Sequence, residues 1–282
     1  MKRIASIQDL SCIGKCSQSI ALPVLSAMGI ECAALPTAIL SAHTVFEGFT
    51  TLDLSAYLPR ILSHWKQMGL RFDAIYSGFL GSVELIALME QIYTDFGTPE
   101  TLRFLDPVMA DQGALYNGIS PDFPEAMKGL CRKADIITPN VTEACLLTGA
   151  VYREEHSEAY IRNLLEQLLT LGVKTAIITG LRTDTQHMGV AAMHTDGSFR
   201  LHLTDYIPAV FHGTGDLFAS TCVGALVLGL AAGDAIALAA DYVNRTIRVT
   251  QQSPEARWYG VNFEETLPDL AALAVKIKED QL

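Results

Sequence analysis

The 282-residue sequence predicts an α/β fold built on a mostly parallel β-sheet. Short apolar and β-branched stretches alternate with segments whose apolar residues recur at helical spacing. Strands separated by helix-length segments form right-handed βαβ units, so helices should cover both faces of the sheet and give three layers. Because no linker, low-complexity tract or internal repeat divides the chain, we expect a single domain over residues 1–282.

The predicted elements follow this alternation in chain order. In the first half, strands are expected at 3–8, 31–40, 72–78 and 101–107, and helices at 21–29, 54–69 and 82–97. Asp53 is the expected cap of the second helix, although Pro59 should disturb that helix, and Ser82 is the expected cap of the third. In the second half, we expect strands at 134–140 and 173–180, a hairpin of 188–194 with 198–204, and helices at 141–149, 161–169, 215–230, 234–251 and 263–280.

The composition indicates an acidic enzyme without a nucleic-acid-binding surface. The formal net charge is −11, the sequence pI is about 5.0, and no run of Lys or Arg occurs. Nucleic acid is therefore not an expected partner. Any phosphate group must be bound by backbone N–H groups, a metal ion and a few local cations.

The sequence predicts a cytoplasmic protein that is not inserted in a membrane. The apolar run near the first residue is too short for a secretory signal peptide. The apolar segment 217–233 is shorter than the ~20 residues of a membrane span, so we expect a buried core helix there. The six cysteines, at 12, 16, 32, 131, 145 and 222, lack zinc-site spacing and indicate reduced thiols.

Polar residues follow several predicted strands where each strand ends. They include Asp9, Asp106, Asn140 and Thr179, which come from distant parts of the chain. Ligands of such sheets bind at the carboxyl ends of the strands, so we expect these side chains to lie at one edge. The sequence therefore predicts a ligand site assembled from several segments.

The stretch HGTGDLFAS predicts an anion site beside a carboxylate. Gly213, Thr214 and Gly215 allow a sharp turn with exposed N–H groups at the start of a helix, whose dipole also favours negative charge. Asp216 follows directly and is suited to accept the proton of a hydroxyl that attacks a phosphoryl group. The alternative is that Asp216 only caps the helix.

Two further motifs suit a magnesium–nucleotide site. DPVMADQG contains Asp106 and Asp111, and Mg²⁺ takes few protein carboxylates together with phosphate and water oxygens. TPNVTEA places Asn140 and Glu143 three residues apart on one helix face, where they are able to order Mg²⁺-bound water. The alternatives are solvated loop acids for the first pair and a helix cap for the second.

His43 and Thr44, in the motif SAHT, lie in a predicted loop. His43 is able to form a hydrogen bond with an aromatic substrate or stack on it, and an ordinary surface histidine is the alternative. Neither GxxxxGK[ST] nor an early GxGxxG occurs, so any nucleotide site is of another kind.

Together these motifs resemble the ribokinase superfamily and, within its vitamin-kinase branch, the pyridoxal kinases. The resemblance extends over nearly the whole chain. GTGD is common to the superfamily, whereas DPVM with TPNVTEA is typical of kinases of pyridoxal and of hydroxymethylpyrimidine. The matching segments are IQDLSCIGKCS, AHT at 42–44, SGFLGS, DPVMADQG, TPNVTEA, the strand ending in Thr179–Gly180, and HGTGD.

The resemblance implies a ribokinase-like three-layer α/β/α fold with a small edge flap, and ATP-dependent phosphorylation of the 5′-hydroxymethyl group of pyridoxal, pyridoxamine or pyridoxine. Asp216 would be the general base, and Gly213, Thr214 and Gly215 the anion hole for the γ-phosphate. The Mg·ATP region would comprise Asp106, Asp111, Tyr116, Asn140, Glu143, Thr179 and Gly180, with Asp106 and Glu143 near the metal directly or through water. The pyridine ring would lie near Asp9, Ser11, His43 and Thr44. A homodimer formed through the segment near 31–50 is also implied, and a monovalent-cation requirement is left open.

Two departures from the family pattern concern the substrate. Many pyridoxal kinases carry Ser directly after IQ, whereas this chain has Asp9, with Ser11 two residues later. A hydroxymethylpyrimidine-kinase-like branch carries a cysteine beside the catalytic turn, but here His212 and Leu217 flank it, so covalent trapping of an aldehyde is not expected. The alternatives are a hydroxymethylpyrimidine kinase, a sugar kinase, and a non-catalytic vitamin- or nucleotide-binding protein on the same fold.

Overall fold

A computed structural model describes residues 1–280. The strands are β1 (Arg3–Ser11), β2 (Glu31–Leu40), β3 (Thr51–Asp53), β4 (Ala74–Ser77), β5 (Leu102–Leu105), β6 (Ala110–Asp111), β7 (Ala114–Leu115), β8 (Ile136–Ile137), β9 (Thr175–Arg182), β10 (His187–His194) and β11 (Phe199–Asp205). The helices are α1 (Gln18–Ala27), α2 (Leu58–Gln67), α3 (Val83–Phe96), α4 (Phe123–Cys131), α5 (Val141–Thr148), α6 (Glu158–Leu169), α7 (Thr214–Val227), α8 (Ala232–Gln252) and α9 (Leu267–Glu279). This alternation confirms the predicted α/β class with a mostly parallel sheet.

The contacts divide the chain into two compact units. The first unit comprises residues 1–76 and the chain from residue 207 onward, and the second comprises residues 77–206. Each unit contains both strands and helices. The single domain expected over 1–282 stays a prediction.

In the first unit, β1 pairs in parallel with β2, and β2 pairs antiparallel with the short strand β3. This antiparallel strand agrees with the small edge flap that the family resemblance implies. Helix α1 packs on β1 and β2, and α7 packs between α1 and α8. Ile4, Ala5 and Ile7 of β1 are almost fully buried, and each large apolar side chain buried in this way contributes about 1.5–3 kcal/mol.

In the second unit, β5, β8 and β9 are parallel neighbours, and β9 continues into the antiparallel strands β10 and β11. The predicted hairpin is therefore confirmed. Its turn contains Gly197 at φ 86°, a left-handed conformation that suits glycine. Helices α5 and α6 pack on β9.

Helix α7 is the buried core helix expected from the apolar segment after Asp216. Its residues from Leu217 to Ala225 are all buried. Along residues 1–280, no helix combines the length and the apolar composition that crossing a membrane requires.

The structure corrects the predicted start of α2. Asp53 belongs to β3, and its side chain accepts a hydrogen bond from the backbone N–H of Ser55 at 2.8 Å instead of capping the helix. Pro59 lies in the first turn, where its missing N–H has no cost, so it begins the helix and does not disturb it. Helix α4 and the small β6–β7 hairpin were not predicted.

Candidate active site

The turn before α7 brings two distant segments of the first unit into contact. Gly213 is the N-cap of α7 at φ 80°, and a Cβ atom added there would lie 1.9 Å from the carbonyl oxygen of Lys15. Only glycine fits this position. The first N–H groups of a helix have no partner within the helix, so this turn offers donors and a positive dipole end to an anion.

Asp216 lies in the first turn of α7 and does not cap it. Gly213 is the N-cap, and no side chain among residues 1–280 forms a capping hydrogen bond there. The alternative that Asp216 is merely a helix cap is therefore wrong. Instead, its carboxylate accepts a hydrogen bond from the backbone N–H of Ser17.

The surroundings of Asp216 suit a proton acceptor. Burial raises the pKa of its carboxyl to about 7, the Ser17 hydrogen bond opposes this rise, and the negative charge of Asp9 adds to it. A general base works best when its pKa lies near the operating pH. This carboxylate therefore has the basicity that removal of a hydroxyl proton at neutral pH requires.

Asp9 and Ser17 lie beside Asp216. The Ser17 hydroxyl donates a hydrogen bond of 2.6 Å to Asp9 Oδ1, and Ser17 has φ 49°, which is rare for a residue other than glycine. Burial raises the pKa of Asp9 above its ordinary value, and the hydrogen bond from Ser17 opposes the rise. Burial also raises the pKa of the Cys16 thiol, and the charges of Asp216 and Asp9 raise it further, so Cys16 is protonated at neutral pH.

Ser11, His43 and Thr44 lie on the same unit as Asp216. Ser11 is buried, and its hydroxyl lies beside the Asp9 carboxylate and the Cys16 thiol, where it lowers the pKa of both groups against the effect of burial. The His43 backbone N–H donates to the carbonyl of Ile13 at 2.7 Å, and its ring packs against that of His212 with centroids 5.1 Å apart. Burial, and then the neighbouring His212, lower the pKa of His43, so its ring is neutral at pH 7. Thr44 is exposed.

In the second unit, the ends of neighbouring strands lie side by side, as predicted for a ligand site in this architecture. Asp106 is nearly buried, Thr179 is half-buried, and Gly180 is exposed at φ 69°. Three backbone hydrogen bonds join neighbouring segments: Asp106 N–H to Ser77 O at 2.9 Å, Thr138 N–H to Leu105 O at 3.0 Å, and Thr179 N–H to Pro139 O at 3.0 Å. The expectation that Thr179 and Gly180 end their strand was wrong, because pairing with β10 continues β9 to Arg182.

Asn140 and Glu143 form a capping box at the start of α5. Glu143 Oε2 accepts the Asn140 N–H at 2.9 Å, and its Oε1 accepts the N–H groups of Met109 and Ala110 at 2.9 and 3.4 Å. Asn140 Nδ2 donates to the Ala110 carbonyl at 2.7 Å. The capping alternative is thus confirmed, and the same two side chains also fasten the DPVMADQG loop to α5. Burial raises the pKa of Glu143 to about 8, against the lowering effect of these N–H donors.

Asp111 and Tyr116 belong to the β6–β7 hairpin region. Asp111 is exposed, and its Oδ1 accepts the Gln112 N–H at 2.8 Å. The turn of the hairpin follows at Gln112 and Gly113, which have positive φ angles of 51° and 81°. Tyr116 is 42% exposed, and its N–H donates to the Met109 carbonyl at 3.0 Å. The loop thus presents a carboxylate and an aromatic ring to solvent next to the segment that Glu143 holds.

The acidic residues of the second unit fit a magnesium ion that is bound mainly by a substrate. In residues 1–280, no group of three or more His, Cys, Asp and Glu side chains is arranged to hold a metal by itself. Mg²⁺ in kinases needs only one or two carboxylates beside phosphate and water oxygens. Asp106 and Asp111 are able to supply these. Both Glu143 oxygens already accept N–H groups, which suits contact through water.

The sequence did not single out Ser17 or Cys16 as part of the Asp216 surroundings. Both lie in the segment IQDLSCIGKCS, which also contains Asp9 and Ser11, two residues that the family resemblance places near the pyridine ring. The positive φ of Ser17 was not predictable, because glycine and, less strongly, asparagine, aspartate and histidine signal that conformation, whereas serine does not.

Comparisons with known proteins identify the family. The phosphomethylpyrimidine kinase model matches residues 22–260. The pyridoxal kinase of Ovis aries is 30% identical over 247 residues, which cover 77% of this chain and 75% of that protein. A candidate pyridoxal kinase of Schizosaccharomyces pombe is 29% identical over 77% of this chain, and the match spans 65% of that longer protein.

Solved structures agree with this result. A candidate phosphomethylpyrimidine kinase from Bacteroides thetaiotaomicron, crystallised with pyridoxal, has a TM-score of 0.90 and 34% identity over 95% of both chains. The pyridoxal kinase of Lactobacillus plantarum has a TM-score of 0.85 and 34% identity over 97% of this chain and 98% of that one.

The fold is therefore ribokinase-like, and the protein is a kinase. The chain belongs to the phosphomethylpyrimidine kinase family of the ribokinase superfamily, and within it to the pyridoxal kinases, as its motifs predicted.

Proposed function

We propose that this chain transfers the γ-phosphoryl group of ATP to the 5′-hydroxymethyl group of pyridoxal, pyridoxamine or pyridoxine. The main support is Asp216, whose pKa of about 7 suits a base at neutral pH and which follows the glycine turn at the start of α7. Asp216 takes the hydroxyl proton as the oxygen–phosphorus bond forms and the bond to the ADP oxygen breaks. N–H groups of Gly213, Thr214 and Gly215 stabilise the charge on the phosphoryl oxygens.

The pyridine ring is bound by Asp9, Ser11, His43 and Thr44. Ser11 supports this assignment, because its hydroxyl is buried beside the Asp9 carboxylate, so the two groups can bind one polar edge of a ring together. The neutral ring of His43 is suited to stack on a pyridine without electrostatic repulsion.

The nucleotide is bound by the loop and strand ends of the second unit. Asp106 and Asp111 supply carboxylates for Mg²⁺, which neutralises phosphate charge when bound, and Glu143 acts through water and holds the loop in place. Asn140 bridges to Thr179, and Thr179 and Gly180 lie within β9 beside the start of α5, which suits binding of phosphate oxygens. Tyr116 covers the nucleotide from the exposed hairpin.

A panel of substrates tests this function directly. Purified protein with ATP and Mg²⁺ should release ADP and a 5′-phosphorylated product with at least one of the three B6 vitamers, and removal of Mg²⁺ with a chelator should stop the reaction. The Asp216→Asn variant is the matched control, since it keeps the shape of the side chain and loses the base. Folded protein that binds pyridoxal but consumes no ATP would instead identify a non-catalytic vitamin-binding protein.

Hydroxymethylpyrimidine is the second candidate substrate, because the matching family model describes a phosphomethylpyrimidine kinase. The same assay with the pyrimidine beside the three pyridines decides between them by the ratio of kcat/KM values. A preference of tenfold or more for the pyrimidine would overturn the assignment to vitamin B6.

The proposal also includes a cytoplasmic homodimer that forms through the segment near 31–50. Phe49 and Leu52, which are 38% and 59% exposed, supply apolar surface there. Light scattering of the wild type and of a Leu52→Asp variant tests the assembly, and a requirement for a monovalent cation is tested by exchanging K⁺ for a tetraalkylammonium ion.

A further inference from the structure

We propose that Asp9 is a positioning residue for the catalytic base and acts on Asp216 through Ser17. This inference rests on the proposed function, in which Asp216 is that base. It goes beyond a role of Asp9 in lining the ring pocket, because it assigns to Asp9 an effect on the chemical step.

Ser17 connects the two carboxylates with two different donors. Its hydroxyl donates to Asp9 Oδ1 at 2.6 Å, and its backbone N–H donates to the Asp216 carboxylate. Both Asp9 and Ser17 are nearly buried, with exposed fractions of 6% and 5%. A short hydrogen bond to an ionised, buried acceptor is among the stronger contacts in a protein. Asp9 thereby fixes the residue whose N–H orients the base.

The backbone at Ser17 needs such fixation. Its φ of 49° with ψ −130° is a sparsely populated conformation for a residue with a side chain, at a cost of about 1–3 kcal/mol. Ser17 also immediately precedes α1, and its carbonyl accepts the N–H groups of Ile20 and Ala21 at 3.0 and 2.9 Å. The hydrogen bond to Asp9 is thus one of the contacts that hold this conformation, and loss of Asp9 releases the Ser17 N–H from its alignment with Asp216.

The lysine of the adjoining loop pairs with residues other than these two acids. Lys15 Nζ, the nearest ammonium group along the loop, is bound to Glu264 Oε2 at 2.7 Å and to Asn262 Oδ1 at 3.2 Å. The Cys16 thiol faces both acids and stays protonated. His43 and His212, in the same unit, pack on each other.

Two like charges that share a site disfavour each other's ionisation. The negative charge of Asp9 therefore makes the Asp216 carboxylate a stronger proton acceptor than burial alone would. A serine at position 9 would supply a hydroxyl but not this charge. Asp9 thus adds an electrostatic effect on the base.

The test compares pH profiles of kcat/KM for pyridoxine phosphorylation in the wild type and in Asp9→Asn. Asparagine keeps an acceptor for the Ser17 hydroxyl and removes the charge. The inference predicts that the acid limb, which reports ionisation of Asp216, moves to lower pH by about 0.5–1 unit. It also predicts a three- to tenfold lower kcat on the plateau, with KM for ATP unchanged. Asp9→Ser should move the acid limb in the same direction, and it replaces Asp9→Asn in the test if that variant does not fold.

Two controls separate this effect from others. Ser17→Gly accepts the positive φ and keeps the backbone N–H but lacks the hydroxyl, so it should lower kcat while Asp9 retains its charge. His212→Gln should leave the limb in place, because His212 is not part of the proposed coupling. If the acid limb of the pH profile shifts in His212→Gln, that limb reports the ionisation of a histidine, and the inference is overturned.

Other outcomes are equally decisive. An unchanged limb in both Asp9 variants would show that Asp9 has only a structural role. A loss confined to pyridoxamine would show that Asp9 contacts the substrate ammonium group and does not act through Ser17. Absence of turnover in the wild type would reject the proposed function. The inference would then be tested by the pH dependence of the melting temperature, which Asp216→Asn should remove and Asp9→Asn should weaken.

Discussion

The α-carbon of Gly213 lies so close to the Lys15 carbonyl oxygen that an added Cβ atom would be 1.9 Å from it. This contact packs the start of α7 against the loop that precedes α1. It places Asp216 within reach of the Ser17 N–H, although the two residues are nearly two hundred positions apart in the sequence. The glycine turn therefore has a packing role as well as the anion-binding role that its motif predicts.

Replacing Gly213 with alanine should reduce both stability and activity. The positive φ alone costs about 1–2 kcal/mol, and the clash with Lys15 forces the loop or the helix to move. Gly215→Ala is the matched control, because nothing lies within 4 Å of an added Cβ there and alanine favours helix. Urea unfolding should show a loss of stability for the first variant and none for the second. Equal losses in both would contradict the packing role.

Asp216→Asn should lower kcat by about 10²–10⁴, the usual effect of removing a positioned base. Pyridoxal should still bind, because the variant retains the side-chain shape and an acceptor for the Ser17 N–H. Steady-state kinetics together with calorimetric binding measure the two effects separately. Near-normal turnover would show that another group removes the proton.

The same variant should be more stable than the wild type above neutral pH. The folded carboxyl has a pKa of about 7 against an ordinary value of 3.8, so between these values the folded state keeps a proton that the unfolded state has lost. Stability contributed by this group therefore falls as pH rises through that window, and asparagine abolishes the effect. Melting temperatures at about pH 5 and pH 8 should show that the variant gains stability over the wild type as pH rises. Each kcal/mol of difference in the free energy of unfolding should raise the melting temperature by ~2–4 °C.

Wild-type kcat/KM should rise tenfold per unit as pH increases toward about 7, and then level off. The reason is that only the ionised Asp216 accepts the substrate proton, and its pKa is about 7. Pyridoxine phosphorylation measured in overlapping buffers gives the midpoint. A midpoint near the ordinary value of an aspartate would show that burial does not control this group in solution.

Glu143→Gln should weaken nucleotide binding more than vitamin binding. Only one oxygen remains to accept the N–H groups of Met109, Ala110 and Asn140, so the DPVMADQG loop should lose its attachment to α5, at a cost of about 1–3 kcal/mol. We expect KM for ATP to rise about tenfold, with KM for the vitamer nearly constant.

Glu158→Gln is the control for this prediction. Glu158 also lies in the first turn of a helix, but it is exposed and pairs with Arg162 on the same helix. Exposed pairs of this kind contribute little, so stability and KM for ATP should not change. A similar effect of both substitutions would mean that helix-start charge, and not the loop attachment, matters.

The hydrophobic pattern was sufficient to predict most elements of the fold. β2 and α3 match their predicted bounds closely: β2 keeps its apolar character through Pro36, and Ser82 and Gly97 mark the ends of α3. β8 contains only two residues where seven were predicted, because strand length depends on the neighbouring strands and not on local composition. The cap role of Asp53 was wrong, since Pro59 determines where the helix begins.

The sequence by itself determined the α/β class, the family and the types of residue available for phosphoryl transfer. These depend on local composition and on motifs that can be recognised along the chain. The tertiary structure decided that Asp216 is not a cap, that Glu143 fastens a loop, and that Asp9 and Asp216 share Ser17. Burial, charge coupling and a serine with positive φ arise only when distant segments pack together, so no local pattern in the sequence specifies them.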